Sequence, residues 1–254
     1  MKGILCTLTA TALAALGVSA SSGAAQGASP KVPGYIKAAV AEPTRPQADR
    51  DRDADRKPEL VILFAGIKPG DQVGELMPGG GYFTRIFCRV VGPSGHVYAV
   101  SIKPAVTLPP RPASDAPPNP CTNITADSQS ATDLSLPSGL DVVWTSENYH
   151  DLHNKMFGPA DMKQFDLAVF NALKPGGVFI VEDHMAGVAS GARDTETLHR
   201  IDPELVKREV IAAGFKLVRQ SDVLRRTDDP HTAKVFELKG KTDKFLFKFQ
   251  KPVS

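Results

Sequence analysis

The chain is poor in net charge, in cysteine and, beyond its first twenty residues, in long apolar runs. Thirty basic against 28 acidic side chains leave a formal charge of +2, too small for a dedicated nucleic-acid binder, which concentrates positive charge. No later stretch approaches the ~20 consecutive apolar residues that a bilayer-spanning helix needs, so no nucleic acid and no stable membrane span are expected as partners. There is no internal repeat, no Gly-x-Ser-x-Gly nucleophile elbow and no Gly-Lys-Thr phosphate loop. These absences remove solenoids, α/β-hydrolase chemistry and P-loop nucleotide hydrolysis. There are three cysteines, Cys6, Cys88 and Cys121.

The first thirty residues contain no acid and one base, Lys2; residues 4–18 are apolar, and Val18-Ser19-Ala20 offers small residues for cleavage. This is the layout of a secretory signal peptide, residues 1–20, with Ser21 first in the mature chain and the periplasm as the expected destination. A disordered or membrane-anchoring N-terminus is the alternative, but the apolar run is short for a span. Removal of Lys2 lowers the formal charge to +1. In an oxidising compartment Cys88 and Cys121 either pair or remain as two buried thiols; spacing alone does not decide between them.

Residues 21–57 read as a flexible arm. Within it Asp49-Arg50-Asp51-Arg52-Asp53-Ala54-Asp55-Arg56-Lys57 alternates in sign without an apolar face, the pattern of a solvated arm or a helix start, not of a binding patch. A helix is expected from Pro58, with Leu60, Val61, Leu63 and Phe64 on one face and Gly66 as its stop. The body of the chain, 58–254, then alternates strand-like and helix-like segments. Strands are expected at 72–76, 96–100, 123–125, 140–145, 177–182, 215–219 and 244–249, and helices at 82–91, 161–173 and 203–213. Residues 104–120 contain seven prolines and read as a rigid loop. This spacing predicts an α/β fold with a doubly wound, mostly parallel seven-stranded sheet and an antiparallel addition at the end.

The most informative segment is Gln-Val-Gly-Glu-Leu-Met-Pro-Gly-Gly-Gly-Tyr-Phe-Thr at 72–84. A strand ends near an acid, Glu75, and Gly79, Gly80 and Gly81 precede a helix. Glycines there let a backbone approach a nucleotide-type ligand closely. A dinucleotide fingerprint fits poorly: Thr84 stands where a third glycine would, and the second strand ends at Ser101 without an acid for the ribose.

These residues resemble instead the class I S-adenosylmethionine-dependent methyltransferases, most of all a group of exported bacterial predicted methyltransferases. Glu75, Gly79 and Gly81 match that family's Glu/Asp-x-Gly-x-Gly-x-Gly turn, with Met77 in place of the first glycine. Leu173-Lys174-Pro175-Gly176-Gly177-Val178-Phe179-Ile180 is similar to its entry into strand five, Leu140-Asp141-Val142-Val143-Trp144 to its fourth strand and Ala213-Gly214-Phe215 to its turn into strand six. The resemblance covers residues 58 to 250 and implies S-adenosylmethionine held by Glu75, Gly79, Gly80, Gly81, Ser101 and Asp127. Ser101 stands where the family has an acid, which leaves a single hydrogen bond in place of a paired, charge-assisted contact.

Four of the six histidines fall where three segments reach the carboxyl edge of the sheet, at His150-Asp151-x-His153, Glu182-Asp183-His184 and His199-Arg200. Methyl transfer to a protonated nucleophile needs a base beside it, and His150, Asp183 and His184 are the candidates. The reading is an exported methyltransferase acting on a small molecule or an exposed side chain, with segments 58–66 and 185–198 as lids. The rival is an inactive, methyltransferase-like periplasmic ligand-binding protein. The same rim offers Asp151, Asp183 and His184 to a divalent metal, although its spacing does not match a closed zinc site and no metal ligand set is assigned; a metal-dependent hydrolase at the histidine rim is a third option.

Overall fold

The computed structural model describes residues 31–107 and 120–253. The expected signal peptide, the start of the arm and most of the proline-rich loop lie outside the described residues. Four short helices lead in: α1 (Gly34–Val40), α2 (Gln47–Arg50), α3 (Asp53–Arg56) and α4 (Pro58–Ala65). The rest alternates as β1 (Gln72–Leu76), α5 (Tyr82–Val91), β2 (His96–Ile102), β3 (Ile124–Gln129), β4 (Leu140–Ser146), α6 (Met162–Ala172) and β5 (Leu173–His184), and continues as α7 (Thr195–Leu198), α8 (Pro203–Ala212), β6 (Lys216–Ser221) and β7 (Lys244–Gln250). Helix boundaries follow local chemistry. Pro58 and Pro203 occupy first helical positions, where no amide hydrogen is required, and Asp161 and Asp202 cap α6 and α8 by accepting from Gln164 N and Glu204 N.

The strands form one sheet in the order β3-β2-β1-β4-β5-β7-β6, with β7 antiparallel to both neighbours and all other pairs parallel. This is the doubly wound, mostly parallel seven-stranded architecture that the sequence predicts. Strand side chains alternate between two cores. Val73, Val97, Val142, Trp144, Ile180 and Leu246 face α4 and α5, while Leu76, Val143, Phe179, Val181, Phe247 and Phe249 face α6 and α8. From β1 the chain steps to β2 on one side and returns to β4 on the other. That reversal opens a crevice at the carboxyl ends of the strands. Among the described residues no helix is long and apolar enough to cross a membrane.

Two expectations are corrected. Residues 34–57, read as a flexible arm, hold the short helices α1, α2 and α3 and are fastened to α5. Every residue of α5 except Arg89 is buried, which requires cover on the side away from the sheet as well; α1 supplies part of it through Ile36 and Ala39. The charge run is tied down by ion pairs: Asp49 takes Arg85 Nη2 at 2.6 Å, and Asp53 takes Arg45 Nη2 at 2.7 Å and the Tyr82 hydroxyl at 2.5 Å. Segment 58–66, expected as a lid, is core: Val61, Ile62, Phe64 and Ala65 of α4 are buried.

Cys88 on α5 and Cys121 are bonded to each other, with Cα atoms 6.2 Å apart and a sequence separation of 33. Closing a loop of that length removes unfolded-state entropy equivalent to about 4 kcal/mol. Cys121→Ser is therefore expected to lower unfolding free energy by about that amount, read by urea titration, and reductant should reproduce the loss in wild type. Asp49→Ala strands the buried Arg85 guanidinium and should cost about 3 kcal/mol on the same scale.

Candidate functional site

A cavity of about 990 Å³ fills the crevice, lined by the ends of β1, β2 and β4, by the glycine turn and by side chains of α2 and α3. The turn runs directly from β1. Met77 has φ +53°, Gly79 φ +56° and Gly81 φ +78°, the left-handed region that L side chains enter at a cost. A Cβ added at Gly79 or Gly80 would meet no atom within 4 Å, so the turn presents bare backbone to open space. Met77, the departure from the family's first glycine, carries the left-handed conformation with a side chain. Its amide donates to Val100 O at 2.8 Å, and Asn148 Nδ2 donates to its carbonyl at 2.7 Å. Those bonds, with packing against the core, hold it there.

Glu75 is buried under the turn. Burial pushes its carboxyl up to about 7, against the hydrogen bond that Thr84 Oγ1 donates to Oε2 at 2.6 Å and the fields of Arg56 and Arg85. Ser101, exposed at the end of β2, also lines the cavity. Asp127 does not. It lies exposed on β3, its carboxylate taken by Gln129 Nε2 and Ser128 N, each at 2.7 Å. Its expected place in the cofactor site is corrected accordingly: it sits two strands out from the glycine turn.

The opposite wall comes from residues that the sequence did not single out. Arg56 lies over the Tyr82 ring, 4.7 Å from its centroid, and its guanidinium donates to Glu147. Lys244 donates to the same carboxylate, and Arg52 stands 3.5 Å from it. Burial pushes Glu147 up, but the charges of Lys244 and Arg56 outweigh it and hold the carboxyl well below its ordinary range. Arg52 and Arg56 are four residues apart, so a helical reading of the charge run would have put them on one face. Nothing in sequence indicated which side of that face would be covered.

A second cavity of about 650 Å³ adjoins the first and shares Arg52, Arg56, Glu147 and Asp151 with it. Here three of the four rim histidines meet. His150 is buried; its Nδ1 lies 2.8 Å from Asp183 Oδ1, and its amide donates to Asp183 Oδ2 at 2.7 Å. The remaining contact on Asp183 is the His184 amide, at 2.7 Å on Oδ1. Burial opposes a charged His150 ring, but Asp183 outweighs it and raises the ring's proton affinity; the same pairing holds Asp183 low despite its burial. His184 goes the other way. Burial drives it down to about 3, and its Nδ1 pairs with Thr242 Oγ1 at 2.7 Å. His199, half-buried with φ +55°, packs edge-on to Phe236. His153 leaves the rim: its Nε2 is taken by Glu209 of α8 at 3.0 Å, and it lines neither cavity.

No protein-family model matches the chain, and no curated protein matches it. Solved structures do. The chain is similar to a SAM (S-adenosylmethionine) dependent methyltransferase from Aquifex aeolicus at 17% identity and TM-score 0.55, with 79% of this chain and 92% of that one covered. It is similar to an S-adenosylmethionine dependent methyltransferase from Mesorhizobium loti at 19% identity and TM-score 0.51, covering 78% and 99%. The glycopeptide N-methyltransferase MtfA, solved with sinefungin, aligns at 16% identity and TM-score 0.51 over 81% and 86%. At these identities the likeness is one of architecture, and the chain has the fold of the S-adenosylmethionine-dependent methyltransferases.

Proposed function

We propose that the protein is an exported S-adenosylmethionine-dependent methyltransferase whose acceptor, a small molecule or an exposed side chain, enters the smaller cavity. The observation that carries this reading is a buried carboxyl, Glu75, beneath a turn whose glycines leave room for a ligand against bare backbone. A buried acid without a close cationic partner suits a ligand that brings positive charge. Such a ligand would be held by the backbone of Gly79, Gly80 and Gly81, with Glu75 on its cationic part and Ser101 as a hydroxyl partner. Arg52 and Arg56 place positive charge at the same cavity for a carboxylate. S-adenosylmethionine brings both charges and supplies an electrophilic methyl carbon.

The residues of the adjoining cavity divide the acid–base work. Asp183 is fully engaged and acts as a positioning residue. It accepts from His150 Nδ1 and turns Nε2 toward Asp151 and the cavity, where, with no ion bound, that nitrogen is the group placed to take a proton from the acceptor. His184, neutral throughout the working range, lines the cavity as an uncharged polar group. The Cys88–Cys121 bond supports export, since such bonds persist in oxidising compartments.

Calorimetric titration of the chain with S-adenosylmethionine and S-adenosylhomocysteine tests the reading. Micromolar binding is expected, and Gly79→Val should abolish it while leaving the circular dichroism spectrum intact, because a β-branched side chain both strains the left-handed turn and fills its open space. No binding by folded wild type at millimolar ligand would sink the proposal. Glu75 gives an independent pH signature. Its folded value near 7 exceeds the ordinary 4.5, so its contribution to stability is complete below about pH 4.5 and is lost as pH rises through 7. Relative to wild type, Glu75→Gln should gain on the order of 2–3 kcal/mol in unfolding free energy between pH 4.5 and 8. The same variant should bind S-adenosylmethionine more weakly at pH 8.

A further inference from the structure

We propose that His150, Asp151 and His199 form a binding site for a divalent first-row transition-metal ion at the floor of the smaller cavity. The three residues come from two segments, the turn after β4 and the segment after α7. His150 Nε2 lies 3.3 Å from Asp151 Oδ1, and His199 Nδ1 lies 3.7 Å from the same oxygen. One donor atom from each residue falls within 4.8 Å of the others. Ligands held ~2.1 Å from an ion at tetrahedral or octahedral angles stand about 3–3.5 Å apart. The first distance already meets that spacing, and the second exceeds it by a few tenths of an ångström.

A second, independent feature distinguishes this cluster from a chance grouping. Asp183, wholly buried, accepts from His150 Nδ1 and thereby turns the Nε2 lone pair toward Asp151. A carboxylate behind a histidine is the usual way a ligating ring is oriented and made more basic. Asp151 is likewise steadied, with Oδ1 accepting from the buried Asn154 Nδ2 at 2.9 Å. The His199 ring is set by its contact with Phe236 and stands edge-on to His150 with centroids 5.5 Å apart. Two imidazoles and one carboxylate suit zinc, iron, cobalt or nickel better than magnesium or calcium, which prefer all-oxygen shells. The ligand set also differs from Asp151, Asp183 and His184, the grouping suggested by sequence: Asp183 stands behind His150, and His184 Nδ1 pairs with Thr242.

Three protein ligands leave coordination positions open toward the cavity. An acceptor with a hydroxyl or carboxylate oxygen would be oriented there; that role, unlike the metal site itself, rests on the methyltransferase reading. The test is therefore made without methyl donor. The untagged full chain, stripped of metal with a chelator, is titrated with Co²⁺ and followed by its visible absorption, with circular dichroism as a check on folding. One Co²⁺ per chain with ligand-field bands, displaced by Zn²⁺, is expected. His199→Ala should abolish the bands, Asp183→Asn should weaken binding by roughly tenfold or more, and His153→Ala should bind as wild type does. Absence of saturable Co²⁺ binding by the folded chain, or undiminished binding in His199→Ala, would overturn the proposal whatever the outcome with S-adenosylmethionine.

Discussion

The structure depends on helix α5 being covered on both sides. An amphipathic helix on a sheet normally keeps one face in water, yet here nine of ten positions are buried. The outer cover is the N-terminal helical segment, and it is fastened by charge as much as by apolar contact. Asp49 neutralises Arg85, Arg45 and Tyr82 converge on Asp53, and Arg56 reaches across to Glu147. Buried ions of this kind are tolerated because each finds an opposite charge or a hydrogen-bond partner. The same fastening places Arg52 and Arg56 at the mouth of the crevice, so the cover for α5 is also a wall of the candidate site.

Electrostatics then divide the site into parts with different duties. Glu75 is buried without an ion-pair partner and drifts toward the neutral form, whereas the half-buried Glu147 has Lys244 and Arg56 beside it and stays ionised. The histidines separate likewise. His150 gains proton affinity from Asp183, and His184 loses it to burial. Pairs of like groups driven apart by their surroundings are how one fold assigns acid, base and spectator roles near neutral pH. They also mark a pocket as a functional candidate, because a purely structural core has little reason to keep so many ionisable groups together.

Most of the sheet was legible in sequence because a strand between two layers needs only local signals, namely a short apolar run, a bounding turn and an acid or glycine at its end. Glu75 and Gly79–Gly81 belong to that class. Met77 shows its limit. It departs from the glycine pattern, yet the backbone keeps the left-handed geometry, supported by Val100 and by Asn148, 71 residues away. Asp127 and His153 show another limit. The resemblance put Asp127 in the cofactor set and chain position put His153 at the rim, but their side chains are taken by Gln129 and Glu209.

By itself the sequence determined the order and kind of elements of the sheet domain from β1 onward apart from α7, the doubly wound sheet and the edge at which its polar residues gather, since periodicity and turn chemistry act within a few residues. Tertiary structure decided what those residues meet. The alternating charges at 49–57 are indistinguishable from a solvated run until α5 needs a cover, and Cys88 and Cys121 are two thiols until α5 and the approach to β3 bring their Cα atoms to 6.2 Å. His150, Asp183 and His199 become one cluster only when the ends of β4 and β5 and the turn after α7 converge. Such meetings depend on contacts tens of residues apart, which no local pattern encodes.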